Sequence, residues 1–186
     1  PPWAAEALRR RFGKAFEAEM AATLLPPPLD LRVNPIKSTR AAVLQELKSL
    51  GLEAEATSLA PQGIRVGERF SLARLKGLKT GEVEIQDEGS QLVAQLIDAR
   101  PGDRVADFCA GAGGKTLALA ADMDNRGRLV ACDTNRARLG NLAPRAERAG
   151  AANIETVLLD PGREAQALAP WSGQADAVLV DAPCSG

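Results

Sequence analysis

The chain has 186 residues, of which 45% are apolar, so it can bury the core of one large domain or two small ones. It contains no histidine, which excludes a Ser-His-Asp triad, a Cys-His dyad and a histidine-ligated metal, and leaves acid–base chemistry to Asp, Glu, Lys or Cys. The 23 Lys and Arg nearly balance the 24 Asp and Glu, but residues 1–80 have a basic excess of five and residues 81–186 an acidic excess of six.

The first part of the chain predicts a helix, a linker and a small α+β unit. Apolar residues at helical spacing indicate an amphipathic helix from Trp3 to Leu25, and the three prolines that follow end it as a stiff linker. A strand, a helix capped by Ser38 or Thr39 and three extended segments are predicted next, at Leu31–Asn34, 38–51, 53–57, 63–66 and 81–85. We expect residues 1–28 to form the helix and linker, and residues 29–86 to form a small module.

Further along, the pattern changes to strands that alternate with helices. Asp87 is a predicted helix cap, and strands follow at Val105–Cys109, Arg128–Cys132, Ile154–Leu159 and Ala177–Val180, with helices at 115–121, 135–149 and 164–168. This alternation implies an α/β fold with a parallel, doubly wound sheet and right-handed crossovers. Ligands bind at the carboxyl ends of the strands in such sheets. We expect residues 87–186 to form this domain, with its site at that edge.

The glycine-rich loop after the first of these strands is open to two functional interpretations. Gly114–Thr116 fits the end of a phosphate-binding P-loop, but the first glycine of that pattern would fall at Cys109. The alternative is an acid followed by G-x-G, here Asp107, Gly111 and Gly113, which suits a cofactor with a cationic methionine group and no phosphate. A tight turn between strand and helix is the purely structural alternative.

Acidic residues end the next three strands. Asp133 follows the glycine-rich loop by about 20 residues, where a carboxylate can accept two hydrogen bonds from a ribose diol. This favours the methyl-donor interpretation, because a P-loop protein needs no acid there. Asp160 is placed to meet an adenine amine, or is only a turn residue before Pro161. Asp181 ends an apolar strand that also resembles the Walker B strand of an NTPase.

The Pro183–Cys184 pair decides against the NTPase interpretation. A thiol beside a methyl-donor site indicates transfer to carbon-5 of a pyrimidine, which is a poor nucleophile. A thiolate that adds to carbon-6 makes the ring enamine-like, carbon-5 then takes the methyl group, and the thiol is eliminated. The structural alternative for Cys184 is a small buried residue, and for Cys109 and Cys132, on predicted buried strands, we favour that alternative.

The three cysteines also indicate the redox environment in which the chain works. Their spacing matches no zinc motif, and an odd number argues against a disulfide framework, so we expect no metal and a reducing cytoplasm. No apolar run approaches the length of a membrane span.

Three segments resemble the motifs of the RsmB/Sun/Fmu family of RNA 5-methylcytosine methyltransferases, namely Asp107–Thr116, Ala131–Asp133 and Asp181–Gly186. Leu31–Lys37 and Gln86–Leu92 resemble its upstream signatures. The resemblance implies a class I, Rossmann-like methyltransferase sheet that uses S-adenosylmethionine, preceded by a small RNA-recognition-like module. It also implies an RNA substrate, which we expect to be bacterial ribosomal RNA.

The resemblance assigns roles to individual residues. It implies that Asp133 binds the ribose, that Asp160 lies by the adenine, that Asp181 lies by the cofactor and the target base, and that Lys115 contacts the cytosine. The implied cofactor-binding set is Cys109, Ala110, Gly111, Ala112, Gly113, Gly114, Lys115, Asp133, Asp160 and Asp181. The implied catalytic set is Cys184, Asp181 and Lys115.

Binding to RNA would explain the basic excess of residues 1–80, and ordinary scatter of surface charge explains it as well. Six basic side chains are the predicted phosphate contacts, namely Arg32, Lys37, Arg40, Arg74, Lys76 and Lys79.

The sequence departs from the family pattern in two places. The family commonly has alanine then proline where this chain has Gly111-Ala112. The family also uses two cysteines: Cys184 corresponds to the one that assists product release, whereas the nucleophile lies in a later Thr-Cys motif that this sequence does not contain. We therefore expect an incomplete sheet with the 177–180 strand at its edge, and a chain that aggregates and transfers no methyl group by itself. A P-loop nucleotide-binding protein and a catalytically silent RNA-binding relative are the alternative functions.

Overall fold

The computed structural model describes residues 1–67 and 70–182, and within them the chain forms two four-stranded sheets. The first sheet is antiparallel, with the order β2-β3-β1-β4. Its strands are β1 (Leu29–Val33), β2 (Ala54–Ala56), β3 (Gly63–Val66) and β4 (Val83–Ile85). The helix α3 (Arg40–Ser49) buries Val43 and Leu47 against this sheet, and the Thr39 hydroxyl caps it by accepting a hydrogen bond from Ala42 N at 3.2 Å.

The N-terminal segment differs from the single helix that we predicted. It consists of α1 (Pro2–Phe12) and α2 (Phe16–Ala22), separated by a 3₁₀ turn. Gly13 has φ +52°, a conformation outside the helical region, and this interrupts the first helix. A further short helix, α4 (Lys76–Thr80), was not predicted, because five residues are too few to show an apolar periodicity.

The second sheet is parallel, with the order β7-β6-β5-β8, which confirms the predicted doubly wound α/β fold. Its strands are β5 (Arg104–Asp107), β6 (Arg128–Asp133), β7 (Ile154–Leu158) and β8 (Ala177–Leu179). Its helices are α5 (Glu88–Gln95), α6 (Gly114–Asp122), α7 (Arg136–Gly140), α8 (Leu142–Ala149) and α9 (Glu164–Ala167). The single helix predicted at 135–149 is wrong: it is divided into α7 and α8 at Asn141, next to the poor helix former Gly140.

Both faces of the parallel sheet are covered. On one face Leu119 of α6 and Met123, which caps that helix, pack against Val105 and Leu129 of the sheet. On the other face Trp171 packs with β6 residues, including the fully buried Cys132. Within the described residues β8 forms one edge of the sheet, as we predicted. The expected aggregation of the chain by itself stays a prediction. In the described ranges, no helix has both the length and the apolar character to cross a membrane.

Candidate functional site

The carboxyl ends of the parallel strands surround a crevice of about 610 Å³. The segment Phe108–Gly111 lines it after β5, the segment Asp133–Asn135 after β6, and Asp181 after β8. Leu159 and the α7 residue Arg138 complete the wall on the β7 side. The volume lies in the range of cofactor sites, so the predicted edge of the sheet does carry a cavity of suitable size.

Asp133 connects the glycine-rich loop to the start of α7. Its Oδ2 accepts a hydrogen bond from Gly111 N at 2.8 Å, and its Oδ1 accepts one from Asn135 N at 2.7 Å. A carboxylate offers about four acceptor positions, so two remain for the hydroxyls of a ligand in the crevice. The carboxylate is therefore held in place and still able to bind a diol.

The backbone of the loop requires glycine at two positions. Gly111 has φ +57° and Gly113 has φ +86°, both in the left-handed region. Space also limits Gly113, because an added Cβ there would overlap the side chain of Leu142 on α8. Gly111 has nothing within 4 Å of such a Cβ, so its side faces the open crevice.

Asp107 lies beneath this loop and is 1% exposed. Its Oδ2 accepts a hydrogen bond from the Thr116 hydroxyl at 2.7 Å. Burial raises the pKa of Asp107, and the Asp181 carboxylate raises it further, although the Thr116 hydrogen bond and the Lys115 charge oppose the rise. Asp107 thus ties the end of β5 to the first turn of α6.

A second cavity, of about 390 Å³, adjoins the crevice and shares Cys109, Ala110 and Asp181 with it. Lys115 also lines it, and its Nζ donates a hydrogen bond to Asp181 Oδ2 at 2.5 Å. The opposite wall comes from the region between β4 and α5, namely Ile85, Gln86, Asp87 and Ser90. The predicted residues Lys115 and Asp181 therefore lie together, between two cavities that meet.

The wall from β4 and α5 was not predicted as part of a site. The sequence predicts Asp87 as a helix cap within a segment that resembles a family signature, and the structure confirms the cap, since its Oδ1 accepts a hydrogen bond from Ser90 N at 2.8 Å. A polar cluster next to a predicted cap was the available signal, but nothing in the sequence placed it opposite the glycine-rich loop.

The two cysteines in the described residues are not poised as nucleophiles. Cys132 is buried in β6, and burial raises its pKa to about 12. Cys109 lies in the loop rather than on the predicted strand, which ends at Asp107, and it is half-buried. Burial raises the pKa of Cys109, and the Asp133 carboxylate raises it further. Both thiols are thus protonated at neutral pH. Cys184 lies outside the described residues.

Asp160 is placed differently from Asp133. Its neighbour Leu159 lines the crevice, but the Asp160 side chain is 70% exposed and lies 3.7 Å from Arg163. The contact of Asp160 with an adenine stays a prediction. In the part of the chain that the structure describes, no group of three or more His, Cys, Asp or Glu side chains is arranged to hold a metal ion.

One of the predicted phosphate contacts, Arg32, is wrong. Arg32 is 4% exposed and donates hydrogen bonds to Gln86 Oε1 and to the backbone oxygen of Gly114. The Lys37 ammonium donates to the backbone oxygens of Thr80 and Arg148. Lys37 stays exposed, whereas the contacts between the two sheets bury Arg32, which the prediction had placed in solvent. Arg74, Lys76 and Lys79 are exposed.

A doubly wound parallel sheet with a glycine-rich loop and carboxylates at its strand ends defines a fold of the class I methyltransferase type. A family model described as "16S rRNA methyltransferase RsmB/F" matches residues 94–186, and one for an RsmF/B-like, ferredoxin-like domain matches residues 1–73. The chain belongs to the RsmB/F family of methyltransferases, which confirms the resemblance found in the sequence.

Named relatives agree with this assignment. The chain is 36% identical over 191 residues to the probable ribosomal RNA small subunit methyltransferase B of Synechocystis sp., and the match covers all of this chain and 42% of the relative. It is 36% identical over 186 residues to the ribosomal RNA small subunit methyltransferase B of Pseudomonas syringae pv. tomato, covering all of this chain and 41% of that protein. The chain therefore spans about two-fifths of the length of these relatives.

A solved structure shows the same fold. The crystal structure of a methyltransferase homolog protein from Pyrococcus horikoshii matches with a TM-score of 0.83 and 28% identity. The match covers 94% of this chain and 56% of that one, so it includes both sheets.

Proposed function

We propose that the chain serves the S-adenosylmethionine-dependent methylation of carbon-5 of cytosine in RNA, with ribosomal RNA as the substrate. The observation that carries the proposal is the pair of adjoining cavities that share Cys109, Ala110 and Asp181. A methyl transfer needs two ligands whose reacting atoms meet, and two cavities with a common wall provide that arrangement. The family and the names of the relatives support methylation of ribosomal RNA.

The larger cavity suits the cofactor. The segment Cys109–Gly111 exposes backbone to it, so the methionine end fits along the loop, and the Asp133 carboxylate has acceptor positions left for the ribose hydroxyls. Lys115 and Asp181 lie where this cavity meets the other one. When bound, S-adenosylmethionine supplies an electrophilic methyl group. Five of the predicted cofactor-binding residues line this cavity, namely Cys109, Ala110, Gly111, Asp133 and Asp181.

The smaller cavity suits the target base. Its polar lining can hydrogen-bond the edge of a cytosine: the Asp181 carboxylate accepts from the exocyclic amine, and the Lys115 ammonium donates to a ring acceptor. The thiol chemistry at carbon-6 is assigned by the family resemblance, which makes Cys184 the cysteine that assists product release and places the nucleophile in a Thr-Cys motif.

Calorimetry on the product of the complete open reading frame tests the cofactor assignment directly. We expect S-adenosylmethionine to bind and ATP not to bind. The variant Asp133→Ala should weaken S-adenosylmethionine binding at least about tenfold, because a hydrogen bond to a charged group is worth roughly 1.5–3 kcal/mol. The exposed Asp160→Ala serves as its matched acidic control. Binding of ATP instead would favour the P-loop alternative, and unchanged affinity of the Asp133 variant would contradict the ribose assignment.

The methyl acceptor requires a separate experiment. The product of the complete open reading frame is incubated with ribosomal RNA and S-adenosylmethionine, and the digested RNA is analysed by mass spectrometry. We expect 5-methylcytidine to appear and to disappear in Lys115→Met and Asp181→Asn. Methylation at another base or atom would contradict the cytosine assignment while leaving the cofactor assignment intact.

A further inference from the structure

Two arginines from outside the glycine-rich loop hold its backbone. Arg145 of α8 donates from Nη1 to the backbone oxygen of Ala112 at 2.7 Å. Arg32 of β1 donates from Nη2 to the backbone oxygen of Gly114 at 3.3 Å. These two carbonyls belong to the residues on either side of Gly113, where the Leu142 side chain leaves no room for a Cβ. The path of the loop therefore depends on α8 and on the antiparallel sheet as well as on its own glycines.

The counter-ion of Arg145 belongs to the other sheet. Glu84 of β4 accepts from Arg145 Nη2 at 2.7 Å through Oε2, and from Arg148 Nη2 at 2.9 Å through Oε1. The Glu84 side chain is 7% exposed, and those of Arg145 and Arg148 are 22% and 35% exposed. One largely buried carboxylate thus bridges two guanidinium groups on α8.

The Glu84 carboxylate in this bridge is ionised at neutral pH. Burial raises the pKa of Glu84, but the hydrogen bonds and charges of Arg145 and Arg148 outweigh it, so the pKa lies below its usual value. Loss of a partner from a buried carboxylate is costly, so the folded chain favours the arrangement in which Glu84 keeps both guanidinium groups. The bridge therefore defines where the Arg145 guanidinium lies, and through it the position of the Ala112 carbonyl.

The same strand reaches the second cavity. Glu84 lies in β4, and the next residues along the chain, Ile85 and Gln86, line the cavity that we assign to the target base. The strand that holds Arg145 in place therefore also contributes to the wall of that cavity.

We propose that Arg145 is a positioning residue for the glycine-rich loop, and that Glu84, which lies next to the target-base cavity, holds the Arg145 guanidinium in place. The proposal rests on the proposed function for the identity of the two ligands. It assigns to the antiparallel sheet a part in cofactor binding, although none of its strands touches the crevice at the strand ends.

A double-mutant cycle in the product of the complete open reading frame tests the relay. Arg145→Met keeps an unbranched apolar stem and removes the guanidinium donors, and Glu84→Gln keeps the volume and removes the charge. We expect S-adenosylmethionine affinity, measured by calorimetry, to fall about tenfold in Arg145→Met and by about fivefold in Glu84→Gln. The double variant should be no weaker than Arg145→Met alone, because Glu84 acts only through Arg145.

Arg128→Met is the matched control. Arg128 also pairs with a glutamate, Glu155, at 3.1 Å, but it lies at the opposite end of β6 from the crevice. Its loss should leave cofactor affinity within about twofold of the parent. If the parent binds and both Arg145→Met and Glu84→Gln remain within twofold of it, or if their effects add in the double variant, the relay is wrong and the proposed function stands.

Hydrogen exchange in the cofactor-free product of the complete open reading frame tests the positioning role of Arg145 without any ligand. We expect the amides of Gly113 and Leu117, which bond to Ala110 O and Gly113 O, to exchange faster in Arg145→Met than in Arg128→Met. The amide of Leu129, bonded to Asn153 O at the far end of the sheet, should exchange alike in the two variants. Equal exchange at Gly113, or faster exchange at Leu129 as well, overturns the positioning role. A parent that binds no S-adenosylmethionine would contradict the proposed function, and this experiment would still decide on the positioning role of Arg145.

Discussion

The carboxyl edge of the parallel sheet and the junction between the two sheets are built from the chain in different ways. At the edge, each functional group lies within a few residues of the end of a strand. At the junction, hydrogen bonds join residues that are far apart in sequence: Glu84 with Arg145 across 61 positions, Arg32 with Gly114 across 82, and Asn34 with Ala149 across 115. The glycine-rich loop belongs to both regions. Its geometry therefore depends on contacts at the junction, which no local sequence motif predicts.

Gly113→Ala is expected to have the largest effect, because it disturbs the edge and the junction together. An L-residue at φ +86° is strained, and the new Cβ would displace the buried Leu142 of α8. We expect the free energy of unfolding to fall by roughly 3–4 kcal/mol and S-adenosylmethionine binding to be lost. Urea unfolding and calorimetry measure the two quantities.

Gly111→Ala is the control in the same loop. Its φ of +57° is also left-handed, but the added Cβ meets nothing within 4 Å. The variant should be destabilised only by the backbone strain of an L-residue in this region, by about 1–2 kcal/mol. Equal losses in the two variants would mean that the contact of α8 with the loop contributes nothing, and the two regions would then be independent.

The edge was predictable from the sequence because parallel strands appear as apolar runs that end at an acid or a glycine. Asp133 and the glycine-rich loop were placed correctly on that basis, and β7 begins at Ile154 as predicted. The junction was not predictable in the same way. A charged residue such as Arg32 carries no sequence signal for burial, because its partners Gln86 and Gly114 belong to elements that meet only in the folded chain.

Asn34→Ala tests the junction without touching the loop. The buried amide of Asn34 donates to Gly81 O and Ala149 O, both at 2.8 Å, and its Oδ1 accepts from Ile36 N. Each such bond is worth about 1 kcal/mol and its loss leaves buried carbonyls unpaired, so we expect the free energy of unfolding to fall by roughly 2–3 kcal/mol. The exposed Gln45→Ala is the matched polar control, and both are measured by urea unfolding.

The outcome for Asn34 shows whether this contact stabilises the junction between the two sheets. A loss no larger than that of Gln45→Ala would show that the two sheets hold together without this contact. Asn34→Asp refines the result, because it keeps an acceptor for Ile36 N and removes both donors.

The outer surface of the antiparallel sheet unit is expected to hold RNA, in contrast to the inner surface that faces the loop. The exposed basic residues to be changed to glutamine are Arg74, Lys76 and Lys79. Each phosphate contact contributes a salt slope of about −0.7, so we expect the slope of log K against log salt to decrease in magnitude by about 2. Filter binding over a range of salt concentrations measures the slope.

Three exposed arginines of the parallel-sheet unit provide the control of equal charge. They are Arg126, Arg136 and Arg163. Their replacement by glutamine should leave the slope near that of the parent. If both triple variants lowered the slope equally, the basic excess of the first half would be ordinary scatter of charge.

The smallest expected effect comes from two buried carboxylates, one in each region, whose pKa values move in opposite directions. Arg145 and Arg148 outweigh the burial of Glu84 at the junction and hold its pKa below the usual 4.5. Burial raises the pKa of Asp107 at the edge above the usual 3.8. The two groups should therefore make opposite contributions to the pH dependence of stability.

The sign follows from proton binding. Glu84 binds protons more weakly in the folded chain, so its stabilisation is complete above pH 4.5 and is lost as the pH falls through its lower folded pKa. Asp107 binds protons more tightly in the folded chain, so stability falls as the pH rises from 3.8 through its higher folded pKa. Glu84→Gln should therefore destabilise the chain at pH 7 and lose its effect in acid. Asp107→Asn removes the ionisation that costs stability at pH 7, so the variant should gain stability over the parent at pH 7 but not in acid. Its amide oxygen still accepts from the Thr116 hydroxyl. Urea unfolding of both variants and the parent between pH 3 and pH 7 measures the two slopes, and slopes of the same sign would contradict the assignment of one carboxylate to each kind of environment.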